Sequence, residues 1–486
     1  MTTIAFGPFE PDVASIGTSK TSYVKNVFPR ADGYGPVQSL AAFTDPLTSR
    51  CMGVFGGVDE NGGSVVFAGT LTGLYRFDAT SKGWENVSKL GGYSLDKGDM
   101  WSFAQFGSRV VAVTGSHAPQ VYDLASSTQF SDLGGSPPRA RGVAIVGDFL
   151  VLYGLTDTPR RIHWSGLNDV EWWTPGSHNC DWQDFPDGGA VRSMAGGEFG
   201  IVFQDTAIRR MVFAPGSDII FQFQRISEDR GILMPYSTAK AHSVTFFLSQ
   251  DGFYKTDLSG QLAPIGANRV DHTLLMDADM SEAIDMVACA DPSSKRVVWA
   301  YRSNANKGTD HLDKLLIYDW ALDRWSQAEM QVQILAPIVP PAPTVESLDA
   351  LGGIDALVAS FDSYVSTPAP SFAAVASDRS IGFFTGDTLE ATIDTPEGSI
   401  GDGVRTFVQS VTPIGDSLKA YVAIESRERI QDARRFDRET EVSRRSGASP
   451  QRSSGRYQTA RVRFPAKSDW TFARGVEVEA TQDGKL

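Results

Sequence analysis

Cysteine, long apolar runs and helical periodicity are all scarce in this sequence of 486 residues. The three cysteines, Cys51, Cys180 and Cys289, lie far apart and are odd in number, which predicts reduced, partly buried thiols rather than a disulfide framework. No apolar run reaches the roughly 18 residues that a membrane-spanning helix needs, so no membrane span is expected. The N-terminus lacks the basic and apolar regions of a signal peptide, so no signal peptide is expected, and the reduced thiols fit synthesis in a cytosol.

Motifs of catalysis and cofactor binding are also missing. The sequence contains no Gly-x-Ser-x-Gly, no phosphate-binding Gly-x4-Gly-Lys-Ser/Thr, no His-Glu-x-x-His, no Gly-x-Gly-x-x-Gly and no paired Cys-x-x-Cys. We therefore expect no catalytic, cofactor-binding or metal-binding residues, no cofactor and no enzymatic activity.

Three short stretches invite a functional interpretation, and each has a stronger structural one. His178 and Cys180 have metal-ligand character, but two ligands do not make a site, so a loop is favoured. The run 181–189 spaces its carboxylates three apart, whereas a calcium loop places them at alternate positions. Residues 94–101 fit Ser-x-Asp-x-Gly-x-x-Trp, the Asp-box, which resembles sialidase-type propellers. The box occurs once and falls between two repeat units, so a structural role is favoured.

A recurring order of strands and turns is the strongest signal in the sequence. From about residue 50, a short apolar strand, a β-branched strand and a third strand follow one another repeatedly. The third strands end at Phe77, Tyr122, Trp164, Phe213, Thr256, Tyr318 and Phe384. The first four intervals, 45, 42, 49 and 43 residues, are typical of four-stranded propeller blades. The two longer intervals contain extra residues, which we place in loops at 303–313 and in the proline-rich stretch 336–343.

These patterns predict an all-β protein with three parts. Residues 1–45 are expected to form an extended N-terminal arm that contacts a platform or neighbouring subunits. Residues 46–395 are expected to form a β-propeller of six or seven four-stranded blades. Residues 396–486 contain alternating runs and are expected to form a small C-terminal antiparallel β domain. The charged stretch 425–463 within this domain is interpreted as a solvated hairpin loop.

The net charge of −14 argues against a protein that grips DNA by neutralising its phosphates. Residues 420–486 carry 14 basic and 10 acidic side chains, a net charge of +4, which leaves about −18 on the remainder. If the protein forms a ring, this distribution predicts a lumen lined mainly by aspartate and glutamate, with the arginine-rich segment turned towards protein partners.

A series of short phrases, in order along the chain, resembles the tail nozzle proteins of short-tailed bacteriophages, which are also called tail hub or packaged-DNA stabilisation proteins. In the first half they are Tyr-Val-Lys-Asn-Val-Phe-Pro at 23–29, Asp-Gly-Tyr-Gly-Pro-Val at 32–37, Trp-Ser-Gly-Leu-Asn at 164–168, Asp-Phe-Pro-Asp-Gly-Gly at 184–189 and Asp-Arg-Gly-Ile at 229–232. Further on they are Gln-Asp-Gly-Phe-Tyr at 250–254, Pro-Ile-Gly at 264–266, Val-Asp at 270–271, Asp-Arg-Trp-Ser at 323–326, Phe-Thr-Gly at 384–386 and Gly-Arg-Tyr-Gln-Thr-Ala-Arg-Val at 455–462.

The resemblance implies a propeller, a platform built from terminal segments, and a homo-oligomeric ring, a hexamer, in the virion tail. Such a ring would lie below the portal and adaptor (head–tail connector) proteins and contact tail fibres or spikes. It would retain packaged DNA and conduct it at ejection, with DNA passing through the lumen without sequence-specific binding. The family supplies no catalytic residues.

Two other functions stay open at this point. One is a carbohydrate-binding or sialidase-like propeller that acts on host surface glycans, which the single Asp-box keeps in view. The other is a cellular propeller scaffold for peptide partners.

Overall fold

The computed structural model describes residues 1–216, 219–257, 260–340, 370–400 and 404–483. Nearly all regular structure in this part is β-strand, as the sequence predicts. Five strands lie within the first 45 residues, and they are β1 (Thr2–Ala5), β2 (Val24–Lys25), β3 (Val27–Arg30), β4 (Gly33–Pro36) and β5 (Ala41–Ala42).

Five four-stranded antiparallel sheets follow one another along the chain. The first is β6 (Cys51–Val58), β7 (Ser64–Thr70), β8 (Leu74–Phe77) and β9 (Trp84–Asn86), and the second is β10 (Ser102–Phe106), β11 (Arg109–Thr114), β12 (His117–Asp123) and β13 (Ser131–Asp132). The third is β14 (Ala140–Val146), β15 (Phe149–Leu155), β16 (Arg161–Trp164) and β17 (Asp181–Asp184), and the fourth is β18 (Val191–Ala195), β19 (Gly200–Gln204), β20 (Ile208–Phe213) and β21 (Phe221–Ser227). The fifth is β22 (Ala239–Ala241), β23 (Val244–Ser249), β24 (Gly252–Thr256) and β25 (Leu262–Pro264).

A seven-stranded sheet completes this series, and one long strand divides it into two parts. It contains β26 (Met286–Ala290), β27 (Arg296–Tyr301), β28 (Leu312–Asp319), β29 (Arg324–Ile338), β30 (Ser371–Ala376) and β31 (Ile381–Phe383), and its last strand is β5 from the N-terminal segment. The first part of β29 pairs with β28, and its second part pairs with β30. Val332 pairs in both directions, so it marks the division.

The first strands of successive sheets lie beside one another, which is the arrangement of a β-propeller. β6 contacts β10, β10 contacts β14, β14 contacts β18 and β22 contacts β26. The second part of β29 returns to contact β6, and a Cβ at Gly56 would lie 3.2 Å from the Cα of Ile338. The chain therefore closes into a circle, and N-terminal β5 supplies the outermost strand of the closing sheet.

The remaining strands form two sheets that pack on each other beside the propeller. They are β32 (Ala391–Asp394), β33 (Thr406–Gly415), β34 (Tyr421–Arg427), β35 (Thr440–Glu441), β36 (Ser449–Gly455), β37 (Tyr457–Phe464) and β38 (Ala473–Gln482). One sheet has the order β3-β4-β38-β33-β36 with β1 on β38, and the other has the order β2-β32-β37-β34-β35. Valines of both sheets share one apolar cluster with Phe6, Phe9 and Trp325. We call these two sheets the terminal sandwich, because both ends of the chain build them.

Helical structure in the described residues is limited to short segments. The α-helix α1 (Asp271–Asp277) follows the fifth sheet, and three single 3-10 turns cover Pro235–Ser237, Ala283–Asp285 and Asn304–Asn306. The described helices include none with the length and apolar character that crossing a bilayer demands.

The structure corrects several sequence-based placements within this fold. The fourth strand of the third sheet is β17, not the predicted Trp172 and Trp173, which lie in the turns before it. The first strands β18, β22 and β26 were not predicted. The stretch 336–343 was predicted to be a loop, but β29 extends through Ile338; residues 341–343 lie outside the described residues. Two strands lie on the other side of the predicted domain boundaries. β5 precedes residue 45 but belongs to the propeller, and β32 precedes residue 395 but belongs to the terminal sandwich.

The N-terminal arm is paired with strands of its own chain. The sequence predicts an arm that contacts a platform of terminal segments or neighbouring subunits, and the structure pairs β1 with β38, β2 with β32 and β5 with β31. The physical reason is burial: Phe6, Phe9 and Val24 are at most 3% exposed and belong to the core of the terminal sandwich.

Candidate functional site

Six of the eleven phrases that carry the family resemblance lie where the N-terminal segment is placed between the propeller and the terminal sandwich. We call this place the terminal junction and define it by Asn26, Tyr34, Asp271, Arg324 and Trp325. These residues come from three distant parts of the chain, so only the fold brings them together.

Asn26 connects the propeller to the strand that begins the terminal sandwich. Its backbone has a φ of 57°, a conformation that asparagine tolerates better than most residues. Its side-chain Nδ2 donates to the carbonyl of Glu390 at 2.7 Å, and its Oδ1 accepts from the backbone N–H of Glu329 at 2.7 Å. One buried side chain thus joins β29 of the propeller to the segment that precedes β32 of the terminal sandwich. Gln327 on β29 adds a hydrogen bond from its Nε2 to the carbonyl of Val24 at 2.9 Å.

Tyr34 and Arg324 form the second connection. The Tyr34 ring is fully buried, and its hydroxyl donates to the carbonyl of Gly7 at 2.7 Å. The guanidinium of Arg324 lies 5.1 Å from the ring centroid and donates to the carbonyl of Arg30 at 2.5 Å. Burial raises the pKa of Tyr34 to about 12, so its hydroxyl stays protonated at neutral pH.

Trp325 anchors the same strand in the aromatic core of the junction. Its ring lies 5.7 Å from that of Trp299 and 5.3 Å from that of Phe253. Its indole N–H donates to the carbonyl of Ile265 at 3.0 Å, which satisfies the one polar atom of a ring that is 1% exposed. The phrases at 250–254, 264–266 and 323–326 therefore serve one packing arrangement.

Asp271 is a buried carboxyl held against two glycines. Its Oδ1 accepts from the backbone N–H of Phe253 at 3.1 Å. A Cβ at Gly252 would lie 2.0 Å from its Oδ2, and a Cβ at Gly266 would lie 1.9 Å from its Oδ1, so only glycine fits at these two positions. Burial raises the pKa of Asp271 to about 7, and the nearby charges of Asp12 and Asp251 act in the same direction.

Arg461, from the last phrase, is held at the centre of the terminal sandwich. Its Nε and Nη2 donate to the two carboxylate oxygens of Asp394 at 2.7 and 2.8 Å. Its guanidinium also lies 4.7 Å from the Tyr23 ring centroid and 4.0 Å from that of Phe436. Burial raises the pKa of Asp394, and the charge of Arg461 opposes this shift. Removing either side chain would leave the other charge buried without its partner.

Two further phrases lie at joints between neighbouring sheets of the propeller. Asp187 accepts from both Arg209 and Arg225, which links the loop after β17 to the fourth sheet. Arg230 donates to Asp251 at 3.1 Å, and Tyr254 donates to the same carboxylate at 2.8 Å. The arrangement orients and holds neighbouring elements, and it places no free nucleophile beside a general base.

The stretches weighed for chemistry have structural partners. The Cys180 thiol contacts the carbonyl of Trp164 at 3.2 Å, and the His178 ring lies on Trp172 with its centroid 3.9 Å away. Within the described ranges, no group of three or more histidine, cysteine, aspartate or glutamate side chains is arranged to hold a metal ion. All three cysteines are free and buried.

The Asp-box residues connect the first sheet to the second. Trp101 is 4% exposed and donates its indole N–H to the carbonyl of Thr70 at 2.9 Å. The buried acid of this segment is Asp99, which accepts from Ser116 at 2.6 Å, whereas Asp96 is held through its backbone N–H. These contacts fit the favoured structural role.

Sequence reasoning missed that part of the charged stretch 425–463 is buried. Glu425 is 2% exposed and accepts from Arg434 at 2.8 Å, and Arg427 pairs in bidentate fashion with the buried Glu397. The solvated-loop interpretation is therefore wrong for these residues. The signal that could have identified them is the apolar run 422–424 directly before Glu425, because the strand β34 is buried continuously from 422 to 425.

A large cleft of about 1280 Å³ lies between β1 and the segment 396–400. Most charged side chains along it are in ion pairs, as Lys20 is with Glu10 at 2.7 Å and Arg269 with Asp323 at 2.8 Å, whereas Arg324 donates to backbone carbonyls. The four acidic and four basic side chains of the lining balance, so the cleft has no net charge.

Comparison with known proteins gives a general likeness of fold only. No protein-family model matches the chain, and no curated protein matches it. A chain of the mitotic checkpoint complex aligns with 75% of this chain and 95% of its own length, at 10% identity and a TM-score of 0.39. The extracellular domain of the putative hybrid two-component system BT4673 from B. thetaiotaomicron covers 78% of this chain and 44% of its own length, at 11% identity and a TM-score of 0.43. BamB from Moraxella catarrhalis covers 65% and 89%, at 10% identity and a TM-score of 0.36.

Proposed function

We propose that this chain is a non-catalytic structural protein of a bacteriophage tail. In this role, copies of the chain form a nozzle or hub ring below the portal and adaptor proteins. The ring retains packaged DNA and conducts it at ejection.

The observation that carries the proposal is the convergence of the family-like phrases on the terminal junction. Residues 323–326 contact 32–37 through Arg324 and Tyr34, and they contact 264–266 through Trp325 and Ile265. The strand pair β3 and β4 joins 23–29 to 32–37, so four phrases that are far apart in the chain are connected at one place. Short turn motifs that shared only local turn chemistry would have no reason to meet. Phrases that specify one joint between a propeller and a platform of terminal segments would meet in this way.

Mass spectrometry of purified particles tests the proposal directly. Particles are purified by density gradient from a lysate in which the chain is produced, and their proteins are quantified against the portal protein. We expect the chain at a fixed ratio to the portal and in tails detached from heads. Absence from particles, or release of sugar from host glycans by the purified chain, would contradict the proposal.

A further inference from the structure

The arginines of this chain fall into two groups according to their partners. In the described residues, almost every arginine side chain has a hydrogen bond, an ion pair or a ring contact, as Arg161 has with Asp184 and Trp182. Arg50 lacks all three and is partly buried. Apart from it, the arginine side chains for which the structure gives no such contact all lie between 429 and 452, and they are Arg429, Arg435, Arg438, Arg444, Arg445 and Arg452. We call these six the arginine patch.

All six side chains of the arginine patch are exposed. The residues between 429 and 452 include seven arginines, four carboxylates and no lysine. The seventh arginine, Arg434, is bound to buried Glu425, and Glu439 is bound to Arg463. The pairing thus leaves an excess of uncompensated positive charge on this surface, in contrast to the large cleft beside β1.

The fold brings Arg444, Arg445 and Arg452 to one edge of the terminal sandwich, and the bridge between Glu425 and Phe436 places Arg435 beside the same edge. β35 is the edge strand of one sheet and β36 is the edge strand of the other. The two strands are connected side by side, because the Thr440 and Ser449 hydroxyls hydrogen-bond at 2.5 Å. A tight turn between them, closed by Gly447 N–H to the Ser443 carbonyl at 2.8 Å, carries Arg444 and Arg445. Arg452 projects from β36 on the exposed side of its alternating pattern.

The chemistry of the patch matches carboxylates on a protein surface. Arginine forms bidentate hydrogen bonds to carboxylates and phosphates and is favoured over lysine at interfaces. Outside 429–452 the chain has 37 basic and 54 acidic side chains, so a second copy presents a strongly negative surface. The same excess repels nucleic acid from the molecule as a whole. The one aromatic residue in the stretch, Phe436, is packed on Arg461, which leaves no ring for stacking unpaired bases.

We infer that the arginine patch is a docking surface for acidic side chains of a second copy of this chain. The contact joins different surfaces on the two copies, and contacts of this kind close into rings when the rotation allows. The inference rests on the proposed function only for the ring; the contact itself follows from the charges and pairing described above.

Charge reversal within the patch tests this inference. The variant Arg444→Glu with Arg445→Glu alters two exposed side chains without partners, so its stability should stay within about 0.5 kcal/mol of the wild type. The matched control, Lys97→Glu with Lys467→Glu, makes the same charge change at side chains that are 86% and 76% exposed and lie outside the patch. Sedimentation equilibrium gives the dissociation constant of self-association at about 0.1 M and about 1 M salt, where the screening lengths are about 10 Å and 3 Å.

We expect the wild type to self-associate at low salt and to dissociate towards its 52.6 kDa monomer at high salt. The patch variant should raise the dissociation constant about tenfold or more, and the control should change it by less than about threefold. A milder variant, Arg435→Gln with Arg438→Gln, should have an intermediate effect. Circular dichroism and melting temperature verify that each variant is folded.

Four results would overturn the inference. The wild type could stay monomeric at low salt, or the patch variant could associate as strongly as the wild type. The control could weaken association as much as the patch variant does, or the patch variant could form new edge-to-edge aggregates. The last result would assign the arginines to protection of the exposed strand edges. Binding of the wild type, but not the patch variant, to a fluorescent DNA duplex without self-association would assign the patch to nucleic acid. None of these results decides whether the chain is present in virions, so the proposed function is tested separately.

Discussion

At the scale of single residues, the fold depends on a few buried charges whose partners come from distant parts of the chain. Arg461 and Asp394 are 67 residues apart, and Arg427 and Glu397 are 30 apart. Sequence reasoning grouped Arg427 and Arg461 with a solvated charge run because pairing over such distances leaves no local pattern. The alternation of the flanking strands could be predicted, whereas the partner of each charge could not.

Arg461 and Arg463 provide a matched pair of substitutions on one strand. Arg461→Met should lower the free energy of unfolding by about 3–5 kcal/mol, because it leaves the buried carboxylate of Asp394 without a partner. Arg463→Met should cost about 0–1 kcal/mol, because its partners Glu390 and Glu439 are 50% and 38% exposed. Urea unfolding measures both. If both variants lost the same free energy of unfolding, burial of the partner carboxylate would not be what determines the loss.

Asp271 should make stability depend on pH between about 4 and 7. Its pKa is raised from 3.8 to about 7 by burial, so the folded state binds a proton that the unfolded state has released in this window. The free energy of unfolding therefore falls as pH rises from about 4 to about 7 and levels off above 7. Asp271→Asn removes this contribution and can still accept the N–H of Phe253.

The measurement is the difference in unfolding free energy between the wild type and Asp271→Asn across this range. We expect the free energy of unfolding of the variant, relative to that of the wild type, to increase as the pH rises from about 4 to about 7. A difference that is constant with pH would mean that the carboxyl titrates alike in both states.

At the scale of elements, sequence predicted strands well where they are the second or third of a sheet. These strands, such as Phe149–Leu155, are rich in buried β-branched and aromatic residues. Three of the first strands, β18, β22 and β26, were missed because they are short and use small or polar residues, as in the Ala-Lys-Ala of β22. The outermost strand β17 was misplaced because it is a half-exposed edge with the polar sequence Asp-Trp-Gln-Asp.

The local structure of each phrase at the terminal junction could be predicted from the sequence, but the contacts between the phrases could not. Each phrase could be recognised as a turn or a strand end from glycine, proline and aspartate. That Tyr34 would lie under Arg324 follows only from the pairing of β3 and β4 beside β29, which depends on contacts almost 300 residues apart.

The strand β1 should be necessary for the terminal sandwich but not for the middle of the propeller. Deleting residues 1–9 removes the partner of β38 together with Phe6 and Phe9, which are 3% and 2% exposed. Loss of each phenylalanine should cost about 3–5 kcal/mol. Hydrogen exchange should then show lost protection in Thr406–Gly415 and Ala473–Gln482. Protection should persist in Phe149–Leu155, whose core cluster is separate.

The control for this truncation is Thr2→Ala with Thr3→Ala, which changes two exposed side chains of the same strand and keeps its backbone pairing. It should leave protection unchanged in both regions. Uniform loss of protection in the truncated protein would show that the sandwich and the propeller unfold as one unit.

At the scale of the whole molecule, charge and topology act together. Both chain ends are used within the molecule, since β5 closes the propeller and β1 to β4 build the terminal sandwich. The arginines of the C-terminal region are either paired with acidic side chains, as Arg434 is with Glu425, or gathered in the arginine patch. Outside the arginine patch, acidic side chains outnumber basic ones, so the other surfaces are mainly negative. A lumen lined by aspartate and glutamate would require this charge distribution.

The proposed ring should therefore bind duplex DNA very weakly. Tight binding would need many phosphates to be neutralised with release of counterions, and a molecule of net charge −14 offers few basic groups for this outside the arginine patch. An acidic wall instead repels the duplex over about 8–10 Å, which keeps it mobile while the walls confine it. With a fluorescent duplex of about 30 base pairs, we expect a dissociation constant above about 100 µM at about 0.15 M salt, the weak end of non-specific binding. Binding near 1 µM with a steep dependence on salt would contradict an acidic lumen and would mean that basic side chains face the DNA.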